Sequence, residues 1–285
     1  MANMNHQDFT LRQKALELVG LSHLTLKVAY TDEGDGEPVV LLHGIPTWSY
    51  LYHDVIPLMV SECRVLAPDL LGHGHSDRRD CFDRSLTAQT LMVVKFLDTL
   101  GIDQATIVGH DTGGGVALIM GIEHPDRVKR LVLANTVAYD SWPIDDMMML
   151  GNPAWRTKTP AEVAEFIASG LPDGLHNAER LTNEFRDGII APYSDEEGKI
   201  SLIRNAIALN TNHTMALVER HKDIGAPTLV LWGVHDPWQT IADGERLSRE
   251  IPGARLVRLE NASHWLQQDV PGDFVREILA FVRGS

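Results

Sequence analysis

Ala105-Thr106-Ile107-Val108-Gly109-His110-Asp111-Thr112-Gly113-Gly114-Gly115-Val116-Ala117-Leu118-Ile119-Met120 is the stretch on which the reading of this chain turns. Its first four residues read as a short buried strand, and Val116 to Met120 as the start of a buried helix. Between them, Gly109 to Gly114 leaves room for a sharp strand-to-helix turn, because glycine lacks the Cβ that would crowd the helix against the strand. The residue at the tip of such a turn is held under strain, with its side chain pushed clear of the backbone. Here the tip is Asp111. A carboxylate needs no base to activate it. It can displace a leaving group from a saturated carbon and remain as an alkyl ester.

Further segments supply partners. Val39 to Leu42 is an apolar strand-like run ending in His43-Gly44-Ile45-Pro46, and Pro227 to Gly233 is another, followed by Val234-His235-Asp236. Asp236 therefore stands at a strand's C-terminal end, where open α/β sheets collect their catalytic groups. Ala254 to Leu259 forms a last strand-like run, and Asn261-Ala262-Ser263-His264-Trp265 follows it before a C-terminal helix. Leu24 to Tyr30 alternates like a strand, Arg64 to Ala67 is another, and Leu86 to Leu100 carries helical spacing with Gly101 past its end. Strands alternating with helices indicate a mostly parallel sheet flanked by helices on both faces. After Arg130 to Asn135 the strand signals stop, and from about Val137 to Asp223 helix-like segments take over, with Met147-Met148-Met149 and Phe166-Ile167 among them. The reading is α/β with an inserted helical cap: core over 1–136, cap over 137–223, core again over 224–285.

From Leu24 onward the chain resembles an α/β-hydrolase of the haloalkane dehalogenase and epoxide hydrolase group. His43-Gly44-Ile45-Pro46-Thr47-Trp48-Ser49-Tyr50-Leu51-Tyr52 is similar to a segment of haloalkane dehalogenases, and Ala67-Pro68-Asp69-Leu70-Leu71-Gly72-His73-Gly74-His75-Ser76-Asp77 matches another family loop. The resemblance implies the α/β-hydrolase fold and a triad in the family's order of nucleophile, acid and histidine: Asp111, Asp236, His264. It also implies an oxyanion hole made by the backbone N–H groups of Ile45 and Thr112. Asp111 would form the ester, His264 would activate water against it, and Asp236 would fix the imidazole tautomer. No metal or organic cofactor is called for.

Each assignment has a rival. Asp111 could be a structural elbow residue on a scaffold that binds a ligand without turning it over. Asp236 could be a helix cap while Asp140 serves as the acid; Asn135, at the strand end before the cap, favours Asp236. His110 precedes the nucleophile, should point away from it, and reads as a packing residue. His73 and His75 suggest a metal pair, yet Gly72 and Gly74 make a turn the better account. The three methionines read as core or pocket lining.

The leaving group divides the two enzyme readings. Dehalogenases of this kind hold the departing halide with two N–H donors, commonly a tryptophan after the nucleophile, plus a cap tryptophan or an asparagine in the His-Gly-x-Pro segment. This chain has Thr112 and Ile45 at the two near-site positions, which leaves Trp155 as the cap donor, with Trp48 as a further pocket candidate. Epoxide hydrolases use two cap tyrosines, and the cap here offers Tyr139 and Tyr193. The arginines that clamp haloacids are missing after Asp111. The expected substrate is a small apolar organic molecule, with water as co-substrate.

Bulk properties set limits. The 285 residues carry a net charge of −14, which argues against nucleic acid and anionic membrane surfaces as partners. No apolar stretch reaches the roughly 20 residues of a membrane span, and Met1 to Asp8 shows no secretory pattern. Two cysteines, Cys63 and Cys81, read as reduced thiols of a cytoplasmic protein. Oligomeric state is left open.

Overall fold

A computed structural model describes residues 4–284. Eight strands form one sheet: β1 (Lys14–Leu18), β2 (Leu26–Glu33), β3 (Pro38–Leu42), β4 (Arg64–Pro68), β5 (Ala105–Asp111), β6 (Val128–Thr136), β7 (Thr228–Gly233) and β8 (Arg255–Leu259). Their order is β1-β2-β4-β3-β5-β6-β7-β8. β2 runs antiparallel to both of its neighbours, and the remaining pairs from β4 to β8 are parallel. β5 and β7 are buried along their whole length, as expected of parallel strands covered on both faces. Side chains alternate between two cores. Leu41, Val108, Val132 and Leu231 belong to one, while Val40, Ile107, Leu133 and Val230 belong to the other.

The helices are α1 (His6–Arg12), α2 (Ile56–Met59), α3 (Leu86–Thr99), α4 (Thr112–Glu123), α5 (Asp145–Met149), α6 (Pro160–Gly170), α7 (Asn183–Ile190), α8 (Glu196–Ile207), α9 (Asn212–Met215), α10 (Ile241–Glu250), α11 (Leu266–Asp269) and α12 (Pro271–Val282). Start and stop signals act where the sequence places them. The Ser85 side chain accepts from the Ala88 N–H at the head of α3, an interaction worth about 1 kcal/mol, and Gly101 takes φ +66° just past its end. The N-terminal α1 and β1 carry no strong pattern. β1 is an edge strand with only Leu18 buried, so pairing with β2 holds it rather than an apolar face.

Among the described residues no strand lies between Thr136 and Thr228; α5 to α9 and short 3-10 turns fill the interval. A reciprocal cap starts α6: Thr159 Oγ1 accepts from the Glu162 N–H, while Glu162 accepts from the Thr159 N–H. These helices stand over the C-terminal ends of β5 and β7 and contribute Met147, Phe166 and Ile167 to a shared cavity. Among the described residues no helix is long and apolar enough to cross a membrane.

Candidate active site

Asp111 closes β5 with φ +51° and ψ −124°, and α4 begins at the next residue. That backbone region costs a non-glycine residue about 1–3 kcal/mol and survives only where its surroundings enforce it. Here close packing does so. A Cβ on Gly109 would strike the Gly113 carbonyl and Gly114, and one on Gly114 would strike Thr136. Opposite the elbow, a Cβ on Gly44 would run into the Asp111 side chain. The carboxylate accepts from the Ile45 N–H at Oδ1 (2.9 Å), and the neighbouring Thr112 N–H favours its charged form. Burial pushes its pKa up from the usual carboxylate value, while His264 and these two N–H groups pull against that rise.

His43 sets the Ile45 loop. Its Nε2 accepts from the Leu70 N–H at 2.9 Å, which leaves an Nδ1–H to donate to the Gly44 carbonyl at 2.9 Å. Burial lowers its pKa, as this neutral tautomer requires. His73 and His75 are spent on Thr47 O and Thr10 Oγ1.

His264 Nδ1 lies 2.9 Å from Asp236 Oδ2. The same oxygen accepts from Asn135 Nδ2 at 2.6 Å, and Oδ1 accepts from the backbone N–H groups of Trp238 and Gln239 at 2.8 and 3.0 Å. Burial disfavours the charged form of His264, but the carboxylates of Asp236 and Asp111 outweigh it and raise its pKa above the ordinary histidine value. The loop carrying His264 is fixed along its length. Ser263 N–H donates to Asp269, the Ser263 carbonyl accepts from Asn135, and Trp265 N–H donates to the Gly174 carbonyl. His110, read as a packing residue, places its Nε2 on the His264 carbonyl at 2.9 Å.

The five residues Asp111, His264, Asp236, Ile45 and Thr112 are therefore brought together by β3, β5, β7 and the loop after β8. All but Asp236 line a cavity of about 220 Å³. Its walls are apolar for the most part, from Pro46, Val137, Trp142, Ile144, Met147 and Leu209.

The four aromatic pocket candidates are not in that wall. Trp155 packs behind the lining residue Phe166, ring centroids 4.5 Å apart. Tyr139 belongs to the core on the far side of the sheet, with its hydroxyl on Glu250 at 2.9 Å. Tyr193 donates to the Pro46 carbonyl at 2.6 Å, and the Trp48 indole N–H donates to the Gly188 carbonyl at 2.8 Å. In the last three, a protein acceptor has already claimed the polar tip. Sequence reasoning missed Trp142, Trp238 and Gln239, which do line the cavity. For Trp238 and Gln239 a signal existed, since they follow Asp236 at the ligand-collecting end of β7.

Residues 37–271 match the protein family described as alpha/beta hydrolase fold. The chain is 30% identical over 261 residues to haloalkane dehalogenase 2 of Mycobacterium tuberculosis, covering 89% of this chain and 90% of that one. It is 29% identical over 279 residues to a cis-3-alkyl-4-alkyloxetan-2-one decarboxylase of Xanthomonas campestris, covering 90% and 92%. In three dimensions it is similar to an α/β-hydrolase fold protein from Burkholderia ambifaria, with a TM-score of 0.84 over 94% of this chain and 99% of that one, at 24% identity.

Proposed function

Since the chain belongs to the α/β-hydrolase family, in the group of haloalkane dehalogenases and epoxide hydrolases, we propose that it hydrolyses a carbon–halogen bond through an ester on Asp111. One observation carries the reading. A carboxylate, rather than a hydroxyl, stands at the strained elbow with one oxygen already on the Ile45 N–H.

The chemistry follows from that placement. The Asp111 oxygen not held by Ile45 attacks the halogen-bearing carbon, and the C–X bond breaks with its electron pair on the halide. The new ester is neutral. His264 then removes a proton from water as the water adds to the Asp111 carbonyl carbon, and the oxygen that becomes negative is the one facing Ile45 and Thr112. Losing one such donor typically costs about 2.7–4 kcal/mol of barrier, so the hole matters as much as the base. Collapse, with His264 protonating the departing alkoxide, releases the alcohol; halide and one proton leave as well. Asp236 holds the imidazole in the tautomer that makes Nε2 the base.

Size and charge restrict the substrate. A cavity of about 150 Å³ admits benzene, so one of about 220 Å³ suits a short haloalkane or a single small ring. Its lining includes Asp146 and Asp173 besides Asp111, with no lysine or arginine among the described residues, which favours neutral molecules. Epoxide opening needs an acid for the alkoxide, and neither Tyr139 nor Tyr193 faces the cavity. The helices between β6 and β7 serve as the cap that keeps this chemistry partly dry.

The test is halide release from short chloro- and bromoalkanes, run beside an epoxide and an oxetan-2-one. Halide and alcohol in equal amounts, abolished by Asp111→Asn, support the reading. Halide release in Asp111→Ala within tenfold of wild type, or turnover of the epoxide or oxetanone alone, overturns it.

A further inference from the structure

Two of the polar side chains that line the cavity, those of Trp238 and Gln239, play no part in the mechanism above. Trp238 lines it, and among the described residues its indole N–H donates to no protein group. The far edge of that indole is pinned: a Cβ on Gly174 would collide with Trp238 Cζ3 and with the Trp265 ring. Its ring also stands edge-on to His264, centroids 4.8 Å apart. The other two lining indoles are spoken for, Trp142 on Thr214 Oγ1 and Trp265 on the Leu171 carbonyl.

Gln239 lines the same cavity, is only 2% exposed, and has a side-chain oxygen buried without a partner. Its backbone is locked from both sides, with its N–H on Asp236 Oδ1 and its carbonyl accepting from the Trp232 indole. A buried carboxamide is ordinarily hydrogen-bonded, yet among the described residues neither end of this one has a protein partner; the orphaned Oε1 is acceptor only and would repel an anion, so Nε2 is the end available to one. Its NH2 sits on a two-fold rotor that nothing in the protein fixes.

We propose that Trp238 and Gln239 together receive the departing halide, as the two N–H donors that Thr112 and Ile45 do not provide through their side chains. This rests on the proposed dehalogenation at Asp111. As the C–X bond breaks, charge builds on the halogen, and the indole N–H and carboxamide N–H take it up with no proton transferred. Both donors sit on the short loop after β7, one and two residues beyond Pro237, so the acid and the halide cradle come from a single turn. The acid's own hydrogen bonds, from the Trp238 and Gln239 N–H groups to Asp236, set the cradle's backbone.

The experiment measures formation of the alkyl ester by intact mass in a His264→Gln background, which blocks its hydrolysis, with matched 1-bromo- and 1-chloroalkanes. Trp238→Phe and Gln239→Leu are made separately in that background. Each is expected to slow ester formation about 10- to 100-fold, with the larger loss on the chloride, because the poorer leaving group depends more on its donors. The bromide-over-chloride rate ratio therefore rises in both. Misfolding or a displaced elbow would lower both rates alike. An unchanged ratio, or ester formation within threefold of the parent in either variant, overturns the cradle while leaving the Asp111 reading intact. A parent that forms no ester with any haloalkane overturns the Asp111 reading itself, and the cradle falls with it.

Discussion

Asn135 Nδ2 lies 2.6 Å from Asp236 Oδ2, the same oxygen that His264 Nδ1 contacts at 2.9 Å. Asn135, next to last in β6, lies in the left-handed region at φ +38°, fully buried, with its own Oδ1 accepting from the Gly233 N–H. Asparagine tolerates that conformation better than most residues. Together with His264 Nδ1 and the Trp238 and Gln239 N–H groups it gives Asp236 four donors, which fills the capacity of a carboxylate.

Removing Asn135 should therefore loosen the acid more than the nucleophile. Asn135→Ala is expected to cost about 1–3 kcal/mol of stability from the groups left unpaired. It should slow ester hydrolysis at least tenfold while the first-turnover burst of halide keeps its rate. Rapid-quench kinetics separates the two steps. A burst slowed as much as the hydrolysis would assign Asn135 to the whole sheet edge rather than to Asp236.

His264 titrates above the ordinary histidine value because two carboxylates outweigh its burial, and Asp111 is one of them. Ester formation neutralises Asp111, so the base should become free of its proton at lower pH just when it is needed. Asp111→Asn mimics that neutral state. Its His264 resonance should titrate at lower pH than in wild type, measured by NMR. The raised value also stabilises the fold at pH below the ordinary histidine pKa, and that contribution is lost as pH rises through the raised one. Equal titration in the two proteins would mean that Asp111 does not set the base.

The fold and the reacting groups were legible because they obey strong local rules. Buried parallel strands are near-continuous apolar runs, so β3, β5 and β7 stand out, and the glycines around Asp111 betray a turn with no room for Cβ atoms. The edge strand β1 obeys no such rule, since only Leu18 is buried. The cavity wall was hard to read for another reason. An aromatic residue's identity does not say which way it points: Tyr139, at φ +54°, turns to the far core and Glu250, and Tyr193 turns to Pro46. Trp155 sits one layer behind Phe166.

Those placements make their own prediction. Trp155→Phe should leave ester formation and hydrolysis within about twofold of wild type. Tyr193→Phe should instead act on stability, because it strips the buried Pro46 carbonyl of its donor next to the Ile45 loop. The cost is about 1–3 kcal/mol, which lowers Tm by about 2–4 °C per kcal/mol in a chain near this size. A loss of halide release in Trp155→Phe without a change in Tm would restore Trp155 as the donor.

Charge selection is the last expectation. Asp146 and Asp173 stand exposed at the cavity rim, Asp111 lies at its floor, and among the described residues no lysine or arginine lines it. A bromoacid should therefore react far more slowly than its neutral amide of the same shape, and the discrimination should have two parts with different salt responses. The rim carboxylates face water, where the Debye length is about 10 Å at 0.1 M salt and about 3 Å at 1 M, so their share should fade as salt rises. The floor share comes from a buried carboxylate and should persist. Asp146→Asn combined with Asp173→Asn should raise the rate on the bromoacid at low salt, leave the amide unaffected, and make no difference at 1 M. Steady-state kcat/KM for the acid and amide at two ionic strengths measures both shares. If the double variant leaves the acid-to-amide ratio unchanged at low salt, the rim carries no selectivity and the floor alone excludes anions.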